Sequence, residues 1–336
     1  MSRISKITLS IASVFLLQCA TPQERATLEV KDHIRADLAA LTSAAREMQS
    51  VTPAQGPWSP STHSSDVARM RAAWLRARAA YERVEGAVAV LFPELDVSTD
   101  ARFDHFVSER PDTNLFDGEG VTGMHAIERI LWADQIPERV RAFEATLPNS
   151  PQAARAPMTA TEAQQFRSDL LGRLIRDSEE MERQFRPLAL DNATAFRGVI
   201  GSLEEQLEKV NVAATGEEES RYAQTTLADM RSNLEGSQRT FRAFRPWLES
   251  VQQQALATRI DARFAALSAQ YTALQGDALP PVPEGYNPTT PSAAHLATPY
   301  GQLRSFLQRE SDPMQSESLV ALMSTAADAL NIPQLR

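Results

Sequence analysis

The segment Thr122-Gly123-Met124-His125-Ala126-Ile127-Glu128 sets an imidazole and a carboxylate three residues apart, directly after a glycine able to open a helix. Residues three apart share a helix face, so His125 and Glu128 can reach one ligand together. Met124, Ile127 and Leu131 form an apolar stripe one residue out of phase with that pair. The stripe is expected to pack inward and leave the pair half-buried on its shoulder. Glu82 and Glu85 repeat the same gap in Tyr81-Glu-Arg-Val-Glu85, again one position out of phase with Tyr81 and Val84. Two helices that each offer two ligands from a shoulder can converge on one ion, as cofactor sites in helix bundles do.

Further oxygen donors follow. Asp100 lies shortly after the helix that carries Glu82 and Glu85, and Gly216-Glu217-Glu218-Glu219 opens a later helix. Each acid also has an ordinary use. Glu82 and Glu85 can pair with Arg78 or Arg83 in solvent, and Asp100 can cap a short helix. Acids in a first turn gain roughly 0.3–1 kcal/mol each from the helix dipole. Taken together, several carboxylates and one imidazole make a hard, oxygen-rich donor set. It suits iron, manganese, calcium or magnesium better than copper(I) or a structural zinc site. Acids gathered without a cation should carry raised pKa values.

The elements that must position these groups are helical throughout. Glycine is scarce, 13 in 336 residues, and alanine, leucine, arginine, glutamate and glutamine are abundant, a composition that favours helix. Ile34, Leu38, Leu41, Ala45 and Met48 step by four and three. Met70, Trp74, Ala77, Tyr81, Val84, Val88 and Leu91 continue that rhythm over three heptads until Pro93. Residues 94–120 read mostly as loop, and prolines mark a linker at 149–160. Stripes then run through Phe166–Phe185, Phe196–Val210, Ala223–Phe244 and Leu256–Leu274, with short helices near 300–308 and 316–330. No stretch alternates as a strand would. The expected fold is all-α, two four-helix bundles in series, over residues 20–150 and 160–336, the first carrying the candidate ligands. His33, His63, His105 and His295 read as surface residues, and Trp74 and Trp132 as core.

The amino terminus reads as an export signal over residues 1–19. Arg3 and Lys6 precede an eleven-residue apolar run, Ile7–Leu17, too short to span a bilayer comfortably. Cys19, the one cysteine, closes that run as in a bacterial lipobox, although Gln18 stands where a small residue is preferred. Lipidation at Cys19 and a membrane-tethered location in the periplasm or cell envelope are therefore expected. A lone cysteine leaves no disulfide within the chain and no thiolate metal site. The net charge is −9; losing residues 1–18 removes Arg3 and Lys6 and no acid, leaving −11. That balance argues against a nucleic-acid partner.

The three motifs, Tyr81–Glu85, Thr122–Glu128 and Gly216–Tyr222, occur together in the order and context of the imelysin family. They most resemble its branch of EfeO- or EfeM-like periplasmic iron-uptake components. Ser237–Pro246 is similar to the end of that domain's long helix. The resemblance implies two four-helix bundles and a metal site around His-x-x-Glu, with Glu82, Glu85, Asp100, His125 and Glu128 as ligands and Glu217 or Glu218 joining them. It implies ferrous or ferric iron as the ion, zinc or another hard divalent cation being the alternative. The partner it implies is an inner-membrane iron permease or another envelope protein. Where that pattern carries a histidine and an aspartate, this chain has Gln224 and Thr226, and only Asp229 is retained. Two other functions remain in view: an imelysin-like metallopeptidase, although His-Glu-x-x-His is absent, and a non-catalytic helical envelope lipoprotein that binds a protein or polysaccharide.

Overall fold

A computed structural model describes residues 20–148 and 152–335, so the expectations for residues 1–19, Cys19 included, lie outside the described residues. Among the described residues there is no strand, and no helix is long and apolar enough to cross a membrane. The chain is all-helical.

The first helix, α1 (Pro22–Val51), starts early because Thr21 and Glu24 form a reciprocal capping box and Pro22 needs no amide partner in the first turn. Its stripe, Ile34, Leu38, Leu41, Ala45 and Met48, is buried. Alongside it lies α2 (Ser64–Glu82). The chain breaks at Arg83–Val84 and resumes as α3 (Glu85–Leu91), where one continuous helix was expected. At the break Arg83 pairs with Asp37 of α1 at 2.7 Å. Two further helices, α4 (Pro93–Asp100) and α5 (Phe103–Glu109), occupy much of the expected loop. Pro93 both stops the preceding helix and begins the next. The motif helix α6 (Gly123–Leu131) is short, and Pro137 starts a separate α7 (Glu138–Glu144).

After the proline-rich connection, α8 (Ala160–Gln165) runs through a π-helical turn, Phe166–Leu170, into α9 (Leu171–Phe185). Then come α10 (Asn192–Val212), α11 (Thr226–Ser250) and α12 (Gln254–Thr272). The last helices are α13 (Ala293–Leu296), α14 (Pro299–Glu310) and α15 (Leu319–Ala329). Pro246 lies inside α11 rather than ending it, with Phe244 and Leu248 buried on either side.

Helices α1, α2, α9 and α11 pack as one four-helix group, and α10, α11, α12 and α15 as another. Helix α11 belongs to both, and one hydrophobic core runs through the two groups. The prolines around residue 150 therefore mark a break in the chain, not in the packing: α9, from the second half, lies on α1.

Two close approaches bring the candidate ligands together. Gly123 has φ +81°, and a Cβ there would lie 2.5 Å from the Thr99 carbonyl oxygen, so the start of α6 touches the end of α4. Gly86 and Gly198 meet where α3 crosses α10, each leaving room for the other's carbonyl. Gly123→Val is expected to lower unfolding free energy by roughly 1–3 kcal/mol through backbone strain, measured by urea denaturation.

Candidate metal centre

The pairs Glu82/Glu85 and His125/Glu128 are buried outright, not left on a half-wet shoulder as expected. His125 is 1% exposed and Glu128 is 0% exposed. What holds α6 this deep is partly Trp74, whose indole N–H donates to the Met124 carbonyl at 2.9 Å and whose ring meets Trp132 edge-on.

Each sequence-derived candidate takes a distinct place. His125 Nδ1 lies 2.7 Å from Glu128 Oε2, while Glu128 Oε1 accepts the backbone N–H groups of Tyr222 (2.9 Å) and Ala223 (2.7 Å). Both Glu128 oxygens are thus occupied. In this arrangement it orients the imidazole and fastens the loop at residues 217–225 over the site. Carboxylates that fix a ligating histidine in this way set its tautomer and basicity. The other nitrogen, Nε2, faces Asp100 Oδ1 at 3.6 Å and Glu219 Oε1 at 3.4 Å, and it has no hydrogen-bond partner.

Glu219, not Glu218, is the loop acid that enters the cluster. Glu218 turns the other way, into a pair with Arg139 and a bond from the Gln224 amide at 2.6 Å. Three successive glutamates hide this difference in sequence. The loop is set by Tyr222, whose hydroxyl donates to Glu144 at 2.6 Å, and by Arg221, buried against Asp104 at 2.7 Å. Gln224, at φ +58°, points to Glu218 and Arg139, and the Thr226 hydroxyl accepts the Ser220 amide. Neither residue reaches the cluster. Asp229 does, 3.6 Å from Arg78 and bonded by the Ser220 hydroxyl.

Two sets of donors have atoms within 4.8 Å of one another: Asp100, His125 and Glu219, and Glu82, Glu85 and Glu219. Two buried cations lie among them. The Arg78 guanidinium pairs with Glu82, Asp100 and Glu219, and the Lys209 ammonium contacts Glu82 (3.0 Å) and Glu85 (3.1 Å). Arg78 was foreseen as a solvent partner of Glu82; it is 1% exposed. Lys209 was not foreseen. As a basic residue in the last turn of α10 it looks like an ordinary helix-dipole partner. Its one sequence signal is its place directly before the stripe residue Val210, on the opposite side from the offset that Glu82 and His125 show. Five carboxylates, Glu82, Glu85, Asp100, Glu219 and Asp229, face these two permanent cations, so the cluster retains capacity for more positive charge.

The titration behaviour reflects that excess. Burial pushes Asp100 up to about 8 against the pull of Arg78 and His125, and Asp229 up to about 7. Burial and the Glu82 charge drive Glu85 well above the usual carboxylate range. Glu219 is held well below that range: Lys209, His125 and Arg78 overcome burial. His125 would be depressed by burial, but the hydrogen bond to Glu128 and the neighbouring Glu219 carboxylate lift it to about 9. At neutral pH both Nε2 and Asp100 therefore hold protons that an incoming ion must displace. Metal affinity should rise with pH up to about 9, by as much as tenfold per unit for each proton released. The stability sign agrees. His125 and Asp100 both have raised folded values, so the metal-free fold loses their contribution as pH climbs through 8 and 9. The melting-temperature gain on adding metal should be larger at pH 8.5 than at pH 6, and a gain flat in pH would contradict this.

A cleft of about 230 Å³ leads from solvent to this cluster, lined by Glu85, Asp100, Lys209 and Glu219 inside and by His105, Glu205 and Glu208 towards the mouth. His105 is exposed, as expected, and stands on the approach.

The model of the imelysin family (peptidase M75) matches residues 25–307. Over 201 residues, 60% of the chain, the sequence is 30% identical to the iron uptake system component EfeO of Yersinia pseudotuberculosis and 27% identical to that of Escherichia coli K12. The aligned part spans 43% of each of these relatives, less than half their length.

Proposed function

The chain belongs to the imelysin family, and from that premise we propose that it binds iron for an uptake system, holding the ion at Asp100, His125 and Glu219. The observation that carries this reading is the buried Nε2 of His125, which makes no hydrogen bond, is aimed at two carboxylates and is fixed from behind by Glu128. A buried imidazole nitrogen without a hydrogen bond costs free energy unless something completes it, and a metal ion does so. Iron suits a set of one nitrogen and several carboxylate oxygens, and the similar EfeO proteins are iron uptake system components. A cleft from solvent suits uptake and release. The remaining parts of the proposal are export, lipidation at Cys19, residence in the periplasm or cell envelope, and delivery to an inner-membrane iron permease.

The test is metal content and melting. The purified protein should retain iron or take it up when ferrous iron is added without oxygen. Saturation at 100-fold over the dissociation constant should add about 2.7 kcal/mol of stability. A melt indifferent to iron(II), iron(III), manganese, calcium and zinc would sink the reading. Chelator-sensitive cleavage of a peptide library would favour a peptidase instead.

A further inference from the structure

The two donor sets share Glu219 but differ in kind. One contains the imidazole Nε2, which makes no hydrogen bond, and has the Arg78 guanidinium beside its two acids. The other consists of oxygen alone, and the Lys209 ammonium already sits within it. Its Nζ lies 3.0 Å from Glu82 Oε2, 3.1 Å from Glu85 Oε2 and 4.0 Å from Glu219 Oε2. The Asn233 amide supports the same two oxygens of Glu82 and Glu85, at 2.9 and 2.6 Å. A fully buried lysine is rare unless paired, and this one is paired only with the acids of that set and with Glu205 at its edge. The crossing of α3 and α10 at Gly86 and Gly198 fixes the helix that carries it.

We propose that Lys209 is a built-in occupant of a second cation position, so that the native chain binds one metal ion, on the His125 side, where a two-metal centre would otherwise form. The inference rests on the metal-binding reading above. An ammonium supplies one positive charge and three donors without coordination demands. It therefore bridges Glu82 and Glu85 and leaves Glu219 free to face His125. Without it, the three carboxylates would accept a second hard divalent ion. Lys209 is a positioning residue that also sets stoichiometry.

The experiment is equilibrium dialysis against manganese(II), with elemental analysis, on the native chain and on Lys209→Met, Lys209→Gln, Glu85→Gln and Lys209→Met/Glu85→Gln. The expected result is one ion per native chain, two in each Lys209 variant, and one again in the double variant. Glu85→Gln alone should retain one ion, which keeps the test open if the Lys209 variants do not fold. Two ions in the native chain, one in a folded Lys209 variant, or loss of the ion in Glu85→Gln would overturn the proposal. No ion in the native chain but one in Lys209→Met, lost again with Glu85→Gln, would overturn the His125 reading while upholding Lys209 as the occupant. No ion in either would overturn both.

Discussion

Arg78→Met is expected to cost the metal-free protein about 3–5 kcal/mol, the range for removing one partner of a buried ion pair. Arg78 is 1% exposed and touches four acids, Glu82, Asp100, Glu219 and Asp229. Its own desolvation is outweighed by the four charges around it, which hold it firmly protonated. Methionine fills much of the same volume but leaves those carboxylates facing one another. Some will take up protons in response, so the loss should be smaller at pH 5 than at pH 8. Urea unfolding at both values checks this. A loss below about 1 kcal/mol, the level of an exposed pair, would mean that the guanidinium is not the keystone of the cluster. Saturating metal should recover part of the stability in the variant, because the ion restores positive charge at Asp100 and Glu219.

The second large effect concerns the imidazole. His125→Ala should abolish the metal-induced rise in melting temperature and lower affinity by more than 100-fold, read by calorimetry with manganese(II). Glu128→Gln should lie between that variant and the native chain. It keeps the shape of the side chain but weakens the hold on Nδ1, and outer partners of this kind typically account for 10–100-fold in affinity. It also leaves Glu82, Glu85 and Asp100 untouched. If Glu128→Gln matched His125→Ala in full, Glu128 would be a direct ligand and the orientation assigned to it here would fail. If neither variant changed the metal response, the ion would lie elsewhere.

The phase-offset pairs made much of this site legible in the sequence. Glu82, Glu85 and His125 each stand one position away from an apolar stripe, and the stripes did go inward. Periodicity places a residue on a face, but depth depends on what covers that face. Here the covering pieces are α3 to α5 and the loop at 217–225, whose short, irregular segments carry almost no periodic signal. The same gap explains Glu128. Its spacing from His125 is right for a shared ligand, yet the backbone amides of Tyr222 and Ala223, nearly a hundred residues on, claim its second oxygen. Among Glu217, Glu218 and Glu219 only three-dimensional context can choose, since the loop direction is fixed by Arg221 and Tyr222 in pockets built by α5 and α7. Lys209 escaped because a basic residue near a helix end is the commonest of arrangements. The break at Arg83–Val84 escaped because an apolar stripe can run in register across a turn.

The fold class followed from composition and rhythm. The sharing of α11 did not, because nothing in a stripe reveals that a helix has neighbours on more than one side. That sharing has a temporal side. Glu82, Glu85, Asp100 and His125 leave the ribosome long before Lys209, Glu219 and Asp229: Lys209 arrives with the end of α10, Glu219 with the loop that precedes α11 and Asp229 with its first turn. Until then the early acids have neither their internal lysine nor the lid formed by Tyr222 and Ala223. No growing intermediate that ends before residue 219 contains either donor set.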